Sequence, residues 1–250
     1  MLIKQIKVEF LKEKRSANRK MLFIVPIIFV IFTYIMSMMM GGNSYGKSFL
    51  ISAAYNWYPL LILPVVISLY VSNIVKKEKS YNQSFYKSLG LDTSNLFIAK
   101  NAVVLFDFFI IICVSTIGFL ILSILVNGEN IAFPNVIFAN FCLFFGILPI
   151  ISFSFFISKF TNRVVLILIN FIVSFPSAII ATKDYWWIFP WGYNLRMIAP
   201  ILGIHPNGTI LVRPNPLYNT NVITIGLILS ISIYAILTVI QIFIERKENA

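Results

Sequence analysis

Charge is what this chain has least of. Only 12% of its 250 residues are Asp, Glu, Lys or Arg, while 59% are hydrophobic. A soluble domain carries about 25% charged residues. A globule of this composition cannot solvate its own surface, which excludes a water-soluble enzyme domain with a single buried core. Other shortages narrow the chemistry. Two cysteines, Cys113 and Cys142, and one histidine, His205, allow neither a disulfide framework nor a zinc-finger spacing. The cysteines read as small apolar packing residues. No HExxH, no paired intramembrane acids and no Ser/His constellation are present, so intramembrane hydrolysis has no machinery. No internal repeat is visible either, which leaves an inverted-repeat carrier without support.

What is plentiful is apolar run. A hydrocarbon core of about 30 Å needs roughly 17–25 apolar residues of helix. Six stretches nearly free of charge satisfy this, at approximately residues 21–40, 52–75, 101–126, 133–158, 164–182 and 222–244. Backbone groups cannot go unpaired in lipid, and none of these stretches alternates like a barrel strand, so they are predicted to be helices. The fold class is all-α integral membrane, with residues 1–250 forming one polytopic domain. Pro59, Pro64, Pro134, Pro149 and Pro176 fall inside or at the edges of spans, and broken helices suit a transporter better than a passive anchor.

The net charge of +11 acquires a meaning once the spans are drawn. Sixteen of the 20 Lys and Arg residues fall in segments 1–20, 76–100 and 159–163 and in the tail after 244. These segments share one side. Four, Lys47, Lys183, Arg196 and Arg213, fall on the other. Membrane proteins collect basic residues on the cytoplasmic side. The expectation is a cell-membrane protein with both termini in the cytoplasm, and the charge surplus records topology rather than nucleic-acid binding. The first apolar run is too long for a signal peptide, lacks a small-residue cleavage site and follows a charged segment, so it reads as an uncleaved span.

Three segments outside the spans carry further information. In residues 1–20, Leu2, Ile3, Ile6, Phe10 and Leu11 recur at helical spacing among lysines and glutamates. That pattern predicts an interfacial amphipathic helix, or else a solvated basic tail. The loop 76–100 is too long for a tight turn. It can form a short helix over 80–89, stopped by Gly90, and then offers Asp92, Thr93 and Ser94 as N-caps for the third span. This makes it a cytoplasmic elbow suited to docking, or an ordinary solvated loop. The outer segment from Lys183 to Tyr218 holds three of the four tryptophans, with Leu195, Ile198, Ala199 and Leu202 at helical spacing before Gly203. A short helix on or dipping into the outer leaflet is expected. The aromatic residues form a boundary belt, or a surface that meets an amphipathic ligand through Trp187, Trp191, Tyr193 and Arg196.

Two strings imitate a nucleotide site. Residues 41–48, GGNSYGKS, match a phosphate loop, and VVLFD at 103–107 matches the second ATPase motif. A phosphate loop follows a strand and opens a helix in a parallel sheet; here it follows a membrane span on the outer side. Both are chance matches, and the chain is no enzyme. Asp107 remains of interest as an intramembrane acid, about 10 Å into its helix counted from Lys100. It either serves function from the bundle interior or pairs with Lys100, Lys159 or Arg163 near the interface.

Six spans, both ends inside, an amphipathic start and an elbow between helices 2 and 3 resemble the permease subunits of ABC exporters of the type-2 membrane class. In that class the elbow carries a Glu, a polar turn, a Leu-rich stretch and a Lys entering the third helix. Glu78, Ser84, Leu89 and Lys100 stand in that order, with Leu91-Asp92-Thr93-Ser94 where the family has a fuller Pro-Ile/Val-Ser stretch. A narrower likeness lies in Phe189-Pro190-Trp191-Gly192-Tyr193, followed by Asn194-Leu195-Arg196-Met197 and Gly203-Ile204-His205-Pro206-Asn207-Gly208. These are similar to the lantibiotic self-immunity permeases, the E-type subunit rather than the G-type. The resemblance implies a partner ABC ATPase that carries ATP and Mg, contacted through Glu78, Ser84, Phe85 and Leu89. This chain itself binds no cofactor. It implies a second related permease or a copy of this chain, and a cationic lantibiotic peptide expelled from the membrane. The alternatives are a permease of another peptide or drug exporter, and a non-transport scaffold or sensor.

Overall fold

The computed structural model describes residues 2–41, 43–44, 47–77, 92–127 and 132–247. Two helices precede the first connection, α1 (Leu2–Glu13) and α2 (Ala17–Met39). A two-residue antiparallel ribbon, β1 (Asn43–Ser44) with β2 (Lys47–Ser48), joins α2 to α3. Then follow α3 (Phe49–Lys76), α4 (Thr93–Asn127), α5 (Phe133–Ser158) and α6 (Arg163–Ile180). The short α7 (Tyr193–Leu202) and the long α8 (Asn221–Lys247) complete the chain. Six of these, α2 to α6 and α8, are long and apolar enough to cross a membrane.

The third span, α4, starts earlier than a count from the last charge suggests. Lys100 lies inside α4, where it is buried, and the helix begins at Thr93. Asp92 caps it: its Oδ1 accepts from the Ser94 N–H at 2.9 Å, and its carbonyl accepts from Leu96 at 3.2 Å. Proline shapes the two central helices. Pro59 and Pro64 cannot donate in α3, and residues Tyr58–Ile62 widen into a π-turn in which the Leu63 N–H reaches the Tyr58 carbonyl. Pro149 breaks α5 at Ile147. There Gly146 lets α7 come close, for a Cβ at that position would meet the Asn194 Oδ1 at 1.9 Å.

α3 and α5 form the centre, and α2, α4, α6 and α8 present much of their surface outward. Side-chain pairs tie the centre together. Asn140 of α5 donates to the Tyr55 hydroxyl at 2.5 Å, and the Tyr58 hydroxyl lies 2.9 Å from the Ser115 Oγ of α4. Gln241 of α8 donates to the Ser152 carbonyl at 2.9 Å. The densest knot is Asn170 of α6. Its amide donates to Ser68 of α3 at 2.7 Å and to Ser154 of α5 at 2.9 Å, and its Oδ1 accepts from the Trp191 indole at 3.2 Å. Asn170, Ser68 and Ser154 are fully buried.

The N-terminal helix differs from the simple amphipathic picture. Ile3, Lys4, Lys7, Val8 and Leu11 face outward, while Glu9 and Glu13 are buried and Phe10 packs edge-on against Phe106 of α4 at 5.3 Å. The acids turn inward because each finds a cation: Lys12 lies 2.5 Å from Glu9, and Lys77, at the end of α3, pairs with Glu13. α7 is the short helix expected before Gly203. It packs against α3, α5 and α8, and Tyr193 to Ala199 are all buried. Gly203, at φ +67°, ends it in the left-handed conformation.

Interhelical hydrogen bonds in membranes average about 0.6 kcal/mol each. Asn170→Leu removes three and is expected to cost roughly 2 kcal/mol of unfolding free energy, against about 0.6 kcal/mol for Trp191→Phe, which removes one. Denaturant unfolding of the two variants in mixed micelles measures the ratio; equal losses would contradict the hub.

Candidate functional site

The ends of several helices meet at the terminus-bearing face of the bundle. The Thr93 hydroxyl donates to the Glu245 carbonyl at 3.1 Å, and Lys159, after α5, pairs with the Glu245 side chain. Lys77 and Glu13 join the end of α3 to α1, and the Ser16 hydroxyl donates to the same Glu13 carboxylate. The chain leaves α3 at Lys77 and re-enters the description at Asp92. Glu78, Ser84, Phe85 and Leu89 therefore lie outside the described residues, but the two posts that carry their segment are held by Glu13 on one side and by α8 on the other.

Asp107 belongs to this end. It is fully buried, its Oδ2 accepts from the Tyr70 hydroxyl of α3, and its Oδ1 lies 3.5 Å from the Arg19 Nη1 of α2. Neither Lys100, Lys159 nor Arg163 is the partner. Arg19 stands in the first turn of α2 and is 45% exposed, so the pair spans from solvent to interior. Asn18, beside it, donates to the Tyr70 carbonyl at 3.2 Å and accepts from Asn73 at 2.8 Å. The residues that a count of intramembrane acids does not find are Arg19, Tyr70 and Glu13. Arg19 and Glu13 sit among the charges of the amphipathic segment, where sequence gives no hint of which one points inward. Tyr70, and the amides Asn140 and Asn170, were visible as polar groups within apolar runs.

The opposite face carries the aromatic segment. Trp187 is 53% exposed beside exposed Tyr185 and Ile188. Trp191 turns inward against Phe153, edge-on at 5.0 Å, and reaches Asn170. The Tyr193 hydroxyl donates to the Trp187 carbonyl at 2.5 Å, and burial pushes it up to about 12. Arg196 is also buried, and burial draws its guanidinium down, partly offset by Asp184. Of the four aromatic and basic residues singled out here, only Trp187 stands at the surface. The glycine-rich signature after α7 has a backbone cause. Gly203 and Gly208 take φ +67° and +89°, and Leu211 returns to donate to the Gly203 carbonyl at 2.8 Å. Asn56 of α3 donates to the Pro206 carbonyl at 2.6 Å, and a Cβ at Gly208 would press on its side-chain amide at a tight 3.1 Å.

The family model described as ABC-2 family transporter protein matches residues 5–177, from α1 into the last turn of α6. No curated protein and no solved structure matches the chain.

In a double-mutant cycle on unfolding, Arg19→Met and Asp107→Asn are expected to couple by about 1 kcal/mol or more, with Arg19→Met the costlier, because it strands a buried carboxylate. Additive losses would remove the pair. Asp92 is held below the usual carboxylate range by its bonds from Ser94. A depressed native pKa contributes stability above the unfolded value, about 3.9, and loses it as pH falls through the native value. Asp92→Asn is therefore expected to flatten the acid limb of a stability–pH profile below about pH 4.

Proposed function

The chain belongs to the ABC-2 transporter family, and from that membership we propose that it is the permease of an exporter that expels a lantibiotic-type peptide and so confers self-immunity. It is a multi-pass membrane protein of an ABC-2 transporter, and the family works with an ABC ATPase. The observation that carries the reading is the extent of the match, which takes in the N-terminal helix and five of the six candidate spans. The peptide class rests on the outer-segment signatures at residues 189–197 and 203–208. The E-type assignment and the pairing with a second permease, or with a copy of this chain, belong to the same proposal.

On this reading both termini are cytoplasmic, as the sixteen basic residues on that side favour. ATP and Mg act on the partner, and the contact runs through Glu78, Ser84, Phe85 and Leu89. A push on that segment meets the Glu13–Lys77 pair first, and through α1 and α2 the Arg19–Asp107–Tyr70 group. A cationic peptide meets few acids on the outer face. Contact there is made by Trp187 and its exposed apolar neighbours, while Trp191, Tyr193 and Arg196 hold the segment in place.

ATP-dependent release of a labelled lantibiotic from proteoliposomes holding the chain with its ATPase tests the reading. Phe85→Ala is expected to weaken ATPase co-purification by about 2 kcal/mol, roughly thirtyfold. Lys77→Glu is expected to lower release, and Glu13→Lys in the same chain to restore part of it. Full release without ATP, or with the ATPase absent, would sink the proposal.

A further inference from the structure

A cavity of about 420 Å³ opens at the face opposite the termini, between the outer segment and the first turns of α8. Arg196 lies in its wall and is 8% exposed. Its Nη1 donates to the Leu217 carbonyl at a long 3.4 Å, and its Nε has no partner. Among the described residues no carboxylate lies within ion-pair distance of it; Asp184, in the same wall, acts on it from further away. A buried guanidinium without a close counter-charge is strongly unfavourable, and a donor left unpaired there adds to the cost. Lys183 is in the wall too, so cations outnumber acids around the space. The rest of the wall is mixed: Thr182, His205, Asn215 and Asn219 are polar, while Trp186, Val222 and Ile225 form an apolar strip that ends at Ile225, half exposed on the outer surface of α8. Guanidinium forks match phosphate oxygens in shape and charge.

We propose that this cavity binds a phosphate group, that of an anionic membrane-lipid headgroup, at the Arg196 guanidinium with Lys183 at the rim and the acyl chain along Val222 and Ile225. The polar half of the cavity would serve free phosphate as well. The apolar strip, which reaches the outward surface of α8 at Ile225, is what selects an amphiphile. A cationic peptide is a poorer occupant, because Arg196 and Lys183 repel it. The site needs no transported peptide, so its failure leaves the export reading untouched.

The test uses the full chain in nonionic detergent micelles and follows the thermal unfolding midpoint against added dioctanoyl phosphatidylglycerol. Parallel titrations use inorganic phosphate and uncharged dioctanoylglycerol. The anionic lipid is expected to raise the midpoint saturably, and the other two to do so far less. Arg196→Met is expected to weaken the apparent affinity at least about tenfold, the loss of a charge-assisted fork. Lys183→Gln is expected to weaken it about threefold, and Asp184→Asn to tighten it about threefold, as charges at a partly open rim do. If Arg196→Met does not accumulate, the opposite signs at Lys183 and Asp184 decide alone. Equal stabilisation by inorganic phosphate overturns the lipid assignment, as does complete displacement of the lipid by a short peptide with a free, but not an amidated, C-terminus. Unchanged affinity in all three variants overturns the site. A loss of stability in Asp184→Asn without tighter binding also overturns it, for Asp184 would then be the counter-ion of Arg196.

Discussion

A polar side chain inside a bilayer has no water to turn to, and the whole bundle is arranged around that constraint. Many of the amides and hydroxyls carried inward are met by a group on another helix. Others, such as Thr116, Ser158 and Ser174, bond back to their own helix, and among the described residues Thr33, Ser52, Ser72, Asn194 and Ser230 stay without a side-chain partner. Most of the meetings fall on α3. From one end to the other, Asn56 holds the loop after α7, Tyr55 meets α5, Tyr58 meets α4, Ser68 meets α6, Tyr70 meets Asp107 of α4, and Lys77 meets α1. Each pair alone is weak in membranes. Their distribution along one helix fixes the register of all its neighbours, which apolar packing against lipid-like side chains cannot do.

The same arrangement places the outer segment in mechanical contact with the membrane interior. Trp191 is bonded to Asn170, and Asn170 to Ser68 and Ser154. Tilting α6 against α3 and α5 therefore displaces the aromatic segment with it. On the other face, the connection between α3 and α4 begins at a residue whose cation is already engaged with α1. The two surfaces that the export reading assigns to ATPase and peptide are joined by one helix whose polar side chains are engaged at both ends.

Much of this was legible in the sequence. The six spans follow from composition and length, because lipid imposes a period that no other constraint disturbs. The Asp92 cap and the Gly203 stop follow from local backbone chemistry. What was illegible is whatever depends on rotation about a helix axis. The pattern of α1 contained both an apolar and an acidic face, and it is Lys77, 64 residues away, that meets Glu13 from another helix when it turns inward. Asp107 announced itself as an unusual residue but could not name Arg19, since several cations stand at comparable depth. Aromatic content marked the outer segment without saying that α7 would be enclosed, because that depends on the gap that Gly146 leaves in α5.

The length of α4 has a geometric outcome of its own. Its 35 residues make a rod of about 52 Å, longer than the hydrocarbon core it crosses. The Arg19–Asp107–Tyr70 contact grips it off-centre. About 21 Å of helix lies on the Thr93 side of Asp107 and about 30 Å on the Asn127 side. A rocking motion about that grip moves the far tip roughly 1.4 times as far as the near one. α4 is thus an unequal-armed lever, its short arm toward the elbow and its long arm toward the opposite face.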